Sequence, residues 1–586
     1  MNEIEIKGEI IMGFSKKTRQ KEIELLKNGE EVDLLVIGGG ITGAGVALQA
    51  AASGIKMALI DMQDFGGGTS SRSTRLVHGG IRYLKTFDVQ VVSDTVKERA
   101  VVQHIAPHLV YPDPMILPIY DEPGTTFTMF SVKVAMDLYD HLAEINKSKQ
   151  LRKYANYTLT KEEVLKREPQ LNPDKLVGAG VYLDYQNNDS RLVIEAVKKA
   201  HDDGGIMLNR IKAVEILHDV NNRAVGCTVK DMLTGEKFEI KAKVIINAGG
   251  PWSDLVKSID NTNTDRPQMR PTKGIHLVVD SSKLQVPQPT YFGSGTDDGR
   301  MIFTIPREGK TYFGTTDTDY HGDFENPTVD MEDVDYLLKI INRKYPTANL
   351  TIDDIESSWA GLRPLIITDN TTDVVSGASQ SVSNSKAPST VSRGSSLAVG
   401  EDGLITLAGG KLTDYRLMAQ AALEMIVKKL ENDFNKEFIL ADSKETIVSG
   451  GNFDSENVEE VLAEFAKIGE DKGLNHEEAL SIAKMFGSNA TKIFNLLNSV
   501  ENIEGLSKAE AATLRYSLDE ELVLDPVDYL LRRTYHMLFK ANTLNEVKKA
   551  VLKNMANYLE WDTEELSIRT EELNKAIDES ELTYLK

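Results

Sequence analysis

The chain divides near residue 440 into two parts with different patterns of apolar and polar positions. In the first part, short apolar runs end at glycine-rich turns, a pattern that predicts strands. The run Glu31–Ile37 stops at three glycines, and a helix over 41–53 and a strand over 55–60 follow. Strand, turn, helix and strand within about thirty residues make a βαβ unit. Further strands are predicted at 177–183, 206–216, 224–229, 243–246, 274–279, 300–305 and 310–314.

After residue 440, apolar residues recur at the spacing of amphipathic helices. Asn475, Ser488 and Thr543 are predicted as N-caps. Each helix must bury its apolar face, and a dimerisation element, a partner-binding module and a cap on the main domain all fit this pattern. The predicted helices span 458–468, 477–486, 490–497, 508–517, 527–539 and 544–559.

The predicted fold class is α/β plus α, and 586 residues are too many for one core. We expect an N-terminal helical extension over 1–30, a Rossmann-like nucleotide-binding domain interleaved with a mixed-sheet substrate domain over 31–440, and a helical domain over 441–586. The substrate segments are predicted at roughly 110–180 and 255–400. Residues 370–396 are rich in Ser, Thr, Asn and Gly, which predicts a mobile surface loop.

The turn after the first strand indicates a dinucleotide site. Gly38, Gly40 and Gly43 form G-x-G-x-x-G between a strand and a helix, and Asp61 ends the next strand. The first glycine allows a tight turn, the second lets the backbone approach a pyrophosphate, and the third lets helix and strand pack closely. The helix N-terminus then faces the phosphates, and Asp61 can accept hydrogen bonds from the ribose hydroxyls.

Further turns of small and hydroxylic residues follow, which an enzyme that binds only NAD would not need. Their N–H and O–H donors suit a pyrophosphate or the edge of a flavin, and a helix N-terminus after residue 411 could support the electron-rich edge of a reduced flavin. The cofactor predicted is therefore FAD. The residues predicted to contact it are Gly38, Gly40, Gly43, Asp61, Thr69, Ser70, Ser71, His78, Gly80, Ala248, Gly249, Gly250, Gly410, Lys411, Leu412 and Thr413.

Charge and composition exclude several classes of function. A net charge of −22 argues against nucleic acid as a partner and against adsorption to an anionic membrane. No apolar run approaches the roughly 18 residues of a spanning helix, and the first residues show no secretory segment, although Met1 and Met12 both fit as a start. The single cysteine, Cys227, excludes an intrachain disulfide and a thiolate metal site. We predict a cytoplasmic protein with no metal and no integral membrane segment.

Taken in order, the motifs resemble those of the FAD-dependent glycerol-3-phosphate dehydrogenase/oxidase family. They are GGGITGAG, TSSRSTRLVHGGIRYL, MRPTKGIHLVV, YFGTTDTDY, WAGLRPL, VSRGSS and AGGKLTDYR, and DPVDYLLRRTYHMLF extends the likeness into the helical domain. FSKKTRQ, YLKTFDVQVVSDTV, GTTDTDYHGD and IDDIESSWAGLRPL are similar to the soluble α-glycerophosphate oxidase branch. Two features depart from the family pattern: Asp61 stands where Glu is usual, and the segment 370–396 is shorter than the insertion typical of the oxidases.

The resemblance implies oxidation of sn-glycerol 3-phosphate to dihydroxyacetone phosphate, with hydride transfer to FAD and reoxidation by O₂ to H₂O₂. The nearest alternative is a quinone-linked dehydrogenase at the membrane surface. An amine oxidase of the glycine/sarcosine type and a flavin-binding protein without turnover are more distant alternatives. A homodimer is a candidate assembly.

A dianionic phosphate needs fixed cations, for which arginine is well suited. Arg363 and Arg393 match family positions near the substrate phosphate. Arg82 and Lys411 match positions nearer the flavin and the glycerol hydroxyls, and Tyr83 is an adjacent substrate-binding residue.

Removal of the substrate O–H proton requires a base, and histidine is the natural choice near neutral pH. His78 and His276 both lie within motifs, and the sequence does not separate their roles. His276 could instead donate a hydrogen bond to the substrate. The predicted catalytic residues are therefore His78, His276, Arg82 and Lys411.

Overall fold

The structure, a computed structural model, describes residues 4–6, 9–11, 13–81, 89–122, 127–147, 151–260, 269–296, 299–367 and 394–586. Its strands, in chain order, are β1 (Ile4–Ile6), β2 (Glu9–Ile11), β3 (Glu31–Ile37), β4 (Met57–Ile60), β5 (Leu76–Val77), β6 (Val110–Tyr120), β7 (Tyr157–Thr160), β8 (Leu176–Asn187), β9 (Ile206–Leu208), β10 (Ile211–His218), β11 (Ala224–Asp231), β12 (Lys237–Asn247), β13 (Met269–Asp280), β14 (Thr290–Gly293), β15 (Met301–Arg307), β16 (Lys310–Gly314), β17 (Thr318–Asp319), β18 (Ile355–Ile366), β19 (Ser395–Val399) and β20 (Ile405–Gly409).

The α-helices alternate with these strands up to residue 434 and then dominate the chain. They are α1 (Lys16–Lys27), α2 (Ile41–Ala52), α3 (Val89–Ile105), α4 (Met129–Leu142), α5 (Lys161–Arg167), α6 (Asp189–Asp202), α7 (Ser253–Ser258), α8 (Met331–Lys344), α9 (Tyr415–Phe434), α10 (Val458–Glu470), α11 (His476–Phe486), α12 (Ala490–Leu496), α13 (Lys508–Glu520), α14 (His536–Phe539), α15 (Ala541–Leu559) and α16 (Thr563–Glu581).

The first large sheet has the strand order β10-β11-β12-β3-β4-β9, and β20, which also pairs with β19, joins it at β12. Its centre is parallel, because β12, β3, β4 and β9 run in one direction. The central strand β3 is buried on both faces: Leu34 and Val36 pack in the core with α2 and α9, whereas Leu35 packs on the other side with Ile23 and Leu26 of α1. A continuous apolar strand covered on both sides is typical of a nucleotide-binding α/β sheet.

The second sheet has ten strands in the order β17-β13-β16-β15-β14-β6-β8-β5, with β18 paired to β13 and β7 to β8. The long antiparallel pair β13–β18 matters most for function. Its register places Thr272 opposite Arg363, Gly274 opposite Gly361, and His276 opposite Trp359. Two motifs that are far apart in the sequence therefore share one strand pair.

The helical domain packs on both sheets. Asp64, after β4, forms ion pairs of 2.6 and 2.7 Å with Arg532 and Arg533. On the second sheet, the Ser358 hydroxyl donates a hydrogen bond to the Ser580 carbonyl over 3.0 Å. Of the three roles that fit the sequence, a cap on the main domain is the one these contacts display. Among the described helices, none is both long and apolar enough to cross a membrane.

The predicted fold class is confirmed, and most of its elements are observed. In the N-terminal extension, β1 and β2 pair antiparallel before the helix α1. The predicted helix 527–539 is broken into a π-helix over Asp528–Arg533 and the short α14, because Tyr535 between them has a left-handed backbone with φ of 55°. The helices α3 to α8 and α16 were not predicted. Most of the predicted loop 370–396 lies outside the described residues, but Ser395 and Ser396 belong to β19.

Two of the three predicted N-caps are wrong. Asn475 does cap α11, and its side chain accepts a hydrogen bond from the Glu478 amide. Ser488 does not cap α12, since Asn489 holds the capping position. Thr543 lies inside the first turn of α15, where its hydroxyl donates to the Lys540 carbonyl. The start of α15 was misplaced by three residues, since the helix begins at Ala541 and was predicted to begin at Leu544, an error typical of element boundaries.

Candidate active site

A cavity of about 580 Å³ lies between the two sheets. Its wall is formed by the turn after β3, the segment after β4, residues 68–78, the turn after β12, parts of β13 and β18, and the turn before α9. The predicted site residues that line it are Gly38, Gly40, Asp61, Thr69, Ser70, His78, Ala248, Gly249, Gly250, His276, Arg363, Gly410, Lys411, Leu412 and Thr413. The structure thus brings cofactor and substrate candidates from several motifs to one space.

Three of the remaining predicted residues do not line this wall. Gly43, Ser71 and Gly80 are buried behind it. The hydroxyl of Ser71 has no hydrogen-bond partner among the described residues. The three others, Arg82, Tyr83 and Arg393, lie outside the part of the chain that the structure describes.

The glycine turn is shaped for close backbone approach. Gly38 has φ of 113°, and a Cβ there would lie 2.5 Å from the Ala248 carbonyl oxygen. A Cβ on Gly43 would lie 1.8 Å from the Gly38 carbonyl oxygen, so this glycine lets α2 pack against β3. A Cβ on Gly40 would meet only the Ser70 hydroxyl, at 3.2 Å, and would otherwise project into open space. The turn and the N-terminus of α2 therefore form a cradle that suits a pyrophosphate.

Asp61 ties this cradle to the end of β4. Its Oδ2 accepts a hydrogen bond from the Gly39 amide and its Oδ1 one from the Gln63 amide, both over 2.7 Å. Burial raises the pKa of the carboxyl to about 6, although the two amides act in the opposite direction. A partly buried acceptor at this place fits a ribose hydroxyl.

A second helix terminus meets the cavity at residues 410–413. Lys411 precedes the 3-10 turn Leu412–Asp414, which leads directly into α9. Leu412 and Thr413 line the wall, so the positive end of this helix is directed toward the space. These donors, together with the glycine cradle and Asp61, fit the adenosine, pyrophosphate and flavin parts of FAD.

His276 is held inside the wall by two neighbours. Its Nε2 shares a hydrogen bond of 3.0 Å with the Thr74 hydroxyl, and its ring stacks on Trp359 with centroids 4.8 Å apart. Its Nδ1 is buried and has no hydrogen-bond partner among the described residues. Burial lowers the pKa of His276 well below its ordinary value, and the charges of Arg363 and Arg75 lower it further. The imidazole is therefore neutral at neutral pH.

Arg363 is fixed by a network that engages both terminal nitrogens of its guanidinium. Its Nη1 pairs with Asp317 over 3.1 Å, and its Nη2 donates to the Thr315 hydroxyl and the Thr316 carbonyl over 3.0 Å each. Gly274 makes room for it, since a Cβ there would lie 2.2 Å from Nη2. A planar, oriented cation on a cavity wall is suited to a phosphate or a carboxylate.

The structure adds cavity residues that were not predicted. Arg300 lines the wall and donates to the Asp317 carbonyl over 2.6 Å, so one residue orients two arginines. Arg72 also lines the wall, and burial lowers its pKa to about 10, with the charge of Arg532 adding to this effect. Thr74 and Asp317 lie within motifs already quoted, whereas the position of Arg300 carried no motif signal.

His78 lines the same cavity, with its ring centroid 6.1 Å from that of Phe303. Both candidate bases therefore border one space, but only His276 combines full burial with an aromatic stacking partner.

Comparison with known proteins agrees with this site. A family described as FAD dependent oxidoreductase matches residues 33–416, and one described as the C-terminal domain of alpha-glycerophosphate oxidase matches residues 441–566. The chain is 54% identical to the alpha-glycerophosphate oxidase of Enterococcus casseliflavus, over 98% of this chain and 99% of that protein. It is 53% identical to that of Lactococcus lactis, over 98% and 100%. The solved glycerol-3-phosphate dehydrogenase from Bacillus halodurans, complexed with FAD, has a TM-score of 0.79 at 34% identity and covers 97% of this chain and 98% of its own.

Proposed function

Since this chain belongs to the alpha-glycerophosphate oxidase family of FAD dependent oxidoreductases, we propose that it oxidises sn-glycerol 3-phosphate to dihydroxyacetone phosphate with O₂ as the electron acceptor. The family resemblance and the FAD cofactor predicted from the motifs are confirmed. The observation that carries the activity is the convergence of Arg363, His276 and Lys411 on the cavity that also contains the glycine cradle.

Bound FAD supplies the acceptor for the C2 hydride, and after reduction the two electrons leave with two protons to convert O₂ to H₂O₂. The protein must bind the phosphate, hold C2 in place and remove the hydroxyl proton.

Arg363 binds the substrate phosphate in this proposal. Asp317, Thr315 and Thr316 bind both terminal nitrogens of its guanidinium, and the residue borders the cavity with about a fifth of its side chain exposed, 22%. Because these partners fix the plane of the group, little side-chain entropy remains to be lost on binding. Lys411 places a second positive charge on the same wall. Arg82, Tyr83 and Arg393 are proposed to complete the substrate site.

His276 is the proposed base, and Nε2 is the atom that takes the proton. Nδ1 is sealed from solvent, whereas Nε2 is shared with the hydroxyl of Thr74, which lines the cavity. The depressed pKa keeps the imidazole neutral before substrate arrives, and the proposal requires the tautomer with its proton on Nδ1, so that Nε2 is the accepting nitrogen. When the dianionic phosphate pairs with Arg363, it offsets a charge that disfavours the imidazolium, so Nε2 becomes more basic in the complex. His78 is assigned to the flavin side.

The proposal is tested by anaerobic mixing of the holoenzyme with sn-glycerol 3-phosphate, followed by mixing with aerated buffer. We expect the flavin absorbance to bleach, then to return with one H₂O₂ formed per dihydroxyacetone phosphate. sn-Glycerol 1-phosphate and glycerol serve as substrate controls. Bleaching followed by reoxidation only with a soluble quinone would support the dehydrogenase alternative, and absence of bleaching would contradict both.

A cytoplasmic location and a homodimer stay predictions. Size-exclusion chromatography with light scattering checks the second of these.

A further inference from the structure

Arg75 is a completely buried arginine that does not line the cavity. Its guanidinium carbon lies 4.2 Å from the ring centroid of Tyr535, 5.3 Å from that of Trp359 and 5.6 Å from that of Phe539. Its Nη1 pairs with Asp189 over 3.2 Å. The cation thus touches rings of two different domains, because Tyr535 and Phe539 belong to the helical domain and Trp359 to the strand β18.

The two groups that hold His276 both adjoin this arginine. Trp359, which stacks on the imidazole, is one of the rings around the guanidinium. Thr74, which bonds to Nε2, is the chain neighbour of Arg75. The Trp359 indole N–H donates to the Ser73 carbonyl over 3.0 Å, so the strand and the segment 73–75 are joined directly.

Tyr535 is itself fixed from several directions. Its hydroxyl forms hydrogen bonds of 2.9 Å with the Ser190 hydroxyl and 3.2 Å with the Arg191 amide. Its left-handed backbone, with φ of 55°, is unusual for a bulky residue and turns the chain between the π-helix and α14. Backbone strain of this kind persists only where the surroundings hold the residue in place.

We propose that Arg75 is a positioning residue through which Tyr535 of the helical domain holds His276 in its proton-accepting orientation. The helical domain is then part of the catalytic apparatus, although none of its residues lines the described cavity. The inference rests on the proposed role of His276, and the experiment separates the two.

The test uses Tyr535→Leu, which removes the ring, with Tyr535→Phe as the matched control that keeps the ring and loses only the hydroxyl. Flavin reduction is followed by anaerobic stopped flow, with FAD content and substrate Kd measured on the same samples. We expect Tyr535→Leu to slow the limiting reduction rate about tenfold or more, because small displacements of a reacting group cost large rate factors. Substrate Kd and FAD content should stay within about twofold, and Tyr535→Phe should keep most of the rate.

A double-mutant cycle distinguishes positioning of His276 from general loss of structure. In a His276→Asn background, Tyr535→Leu should have no further effect on the reduction rate. If it slows His276→Asn as much as it slows the wild type, or if it acts through Kd or FAD content, the inference is wrong. If His276→Asn reduces the flavin at the wild-type rate, the proposed base is wrong instead. Phe539→Leu, which removes another ring beside Arg75, replaces Tyr535→Leu in this cycle if that variant does not fold.

Discussion

The Gly39 amide donates a hydrogen bond to Asp61 Oδ2 over 2.7 Å, so the carboxylate at the end of one strand holds the glycine turn at the end of its neighbour. Asp61 therefore has a structural contact in addition to its proposed contact with ribose. Burial raises its pKa to about 6, which places its ionisation within an accessible pH range.

FAD affinity of the apoprotein should fall as the pH decreases through about 6. The ionised carboxylate accepts hydrogen bonds and the protonated form accepts them less well, so below the pKa of Asp61, about 6, FAD binding must displace a proton. We expect Kd to be level above this pH and to rise up to about tenfold per unit below it. Asp61→Asn should weaken FAD binding about 10- to 100-fold and flatten the dependence of Kd on pH. Asp61→Glu should keep this pH dependence. Flavin fluorescence quenching measures these constants, and an unchanged profile in Asp61→Asn would contradict the assignment.

Substitutions at two glycines of the same motif should have different effects. Gly43→Ala places a Cβ 1.8 Å from the Gly38 carbonyl oxygen, so it should lower the thermal midpoint of the apoprotein as well as its FAD content. Gly40→Ala meets only the Ser70 hydroxyl at 3.2 Å, so it should leave the apoprotein midpoint within about a degree and weaken FAD binding. Differential scanning fluorimetry with and without FAD separates the two effects. Equal destabilisation of the two apoproteins would show that the cradle is not open at Gly40.

Loss of Arg363 should act mainly on substrate binding. Arg363→Met should raise the KM for sn-glycerol 3-phosphate about 30- to 1,000-fold, because it removes an oriented cation from a half-buried phosphate site. Arg363→Lys keeps the charge without the planar fork, so its KM should lie between those of the wild type and Arg363→Met. Lys212→Met is the matched control, since Lys212 lines the same cavity but pairs with Glu325. A similar rise in KM for Lys212→Met would indicate a general effect of charge.

The stability of the interface between the main and helical domains should depend on the charge of Asp64. Burial alone raises its pKa, but the charges of Arg533 and Arg532 outweigh this and hold the pKa well below its usual range. A carboxyl whose pKa is lowered in the folded state stabilises the fold at pH values above its pKa in the unfolded chain. This stabilisation is lost as the pH falls through the pKa of the folded state. Asp64→Asn should therefore cost about 3–5 kcal/mol near neutral pH and less in acid.

Thermal unfolding at several pH values measures this cost. Asp471→Asn serves as the control, because Asp471 pairs with Lys467 on an exposed helix face, and it should leave the midpoint unchanged. A pH-independent deficit in Asp64→Asn would argue against the ion pairs as its cause.

The nucleotide half of the site was predictable because its signals are local. The strand Glu31–Ile37 has the predicted bounds, since it is apolar and covered on both faces. The glycine motif acts through backbone geometry, which depends little on distant residues.

The substrate half depends on pairing between distant strands. Asp317 contacts both Arg300 and Arg363, which are distant in the sequence, and no local pattern shows this. The break at Tyr535 and the helix α16 were missed for related reasons. Apolar periodicity does not reveal a left-handed residue held by Arg75, and α16 buries only Leu573, Ile577 and Ser580 among many charged residues.

The pH dependence of flavin reduction should identify the base. A base must be unprotonated to act, so the limiting reduction rate should fall as the pH drops through the pKa of His276 in the substrate complex. In the free enzyme, burial and the charges of Arg363 and Arg75 hold this pKa well below its ordinary value. Substrate phosphate offsets the first of these charges, so the pKa should be higher in the complex.

Stopped-flow reduction at saturating substrate reports groups of the complex and avoids the ionisation of free substrate. His276→Asn should lower the limiting rate about 100-fold or more and abolish the acid limb of its pH profile. His78→Asn should keep the acid limb, whatever its effect on the flavin spectrum. The opposite result, with the acid limb lost in His78→Asn and kept in His276→Asn, would assign the role of base to His78. In that case the Thr74 and Trp359 contacts would hold a substrate hydrogen-bond donor, the other role that the sequence left open for His276.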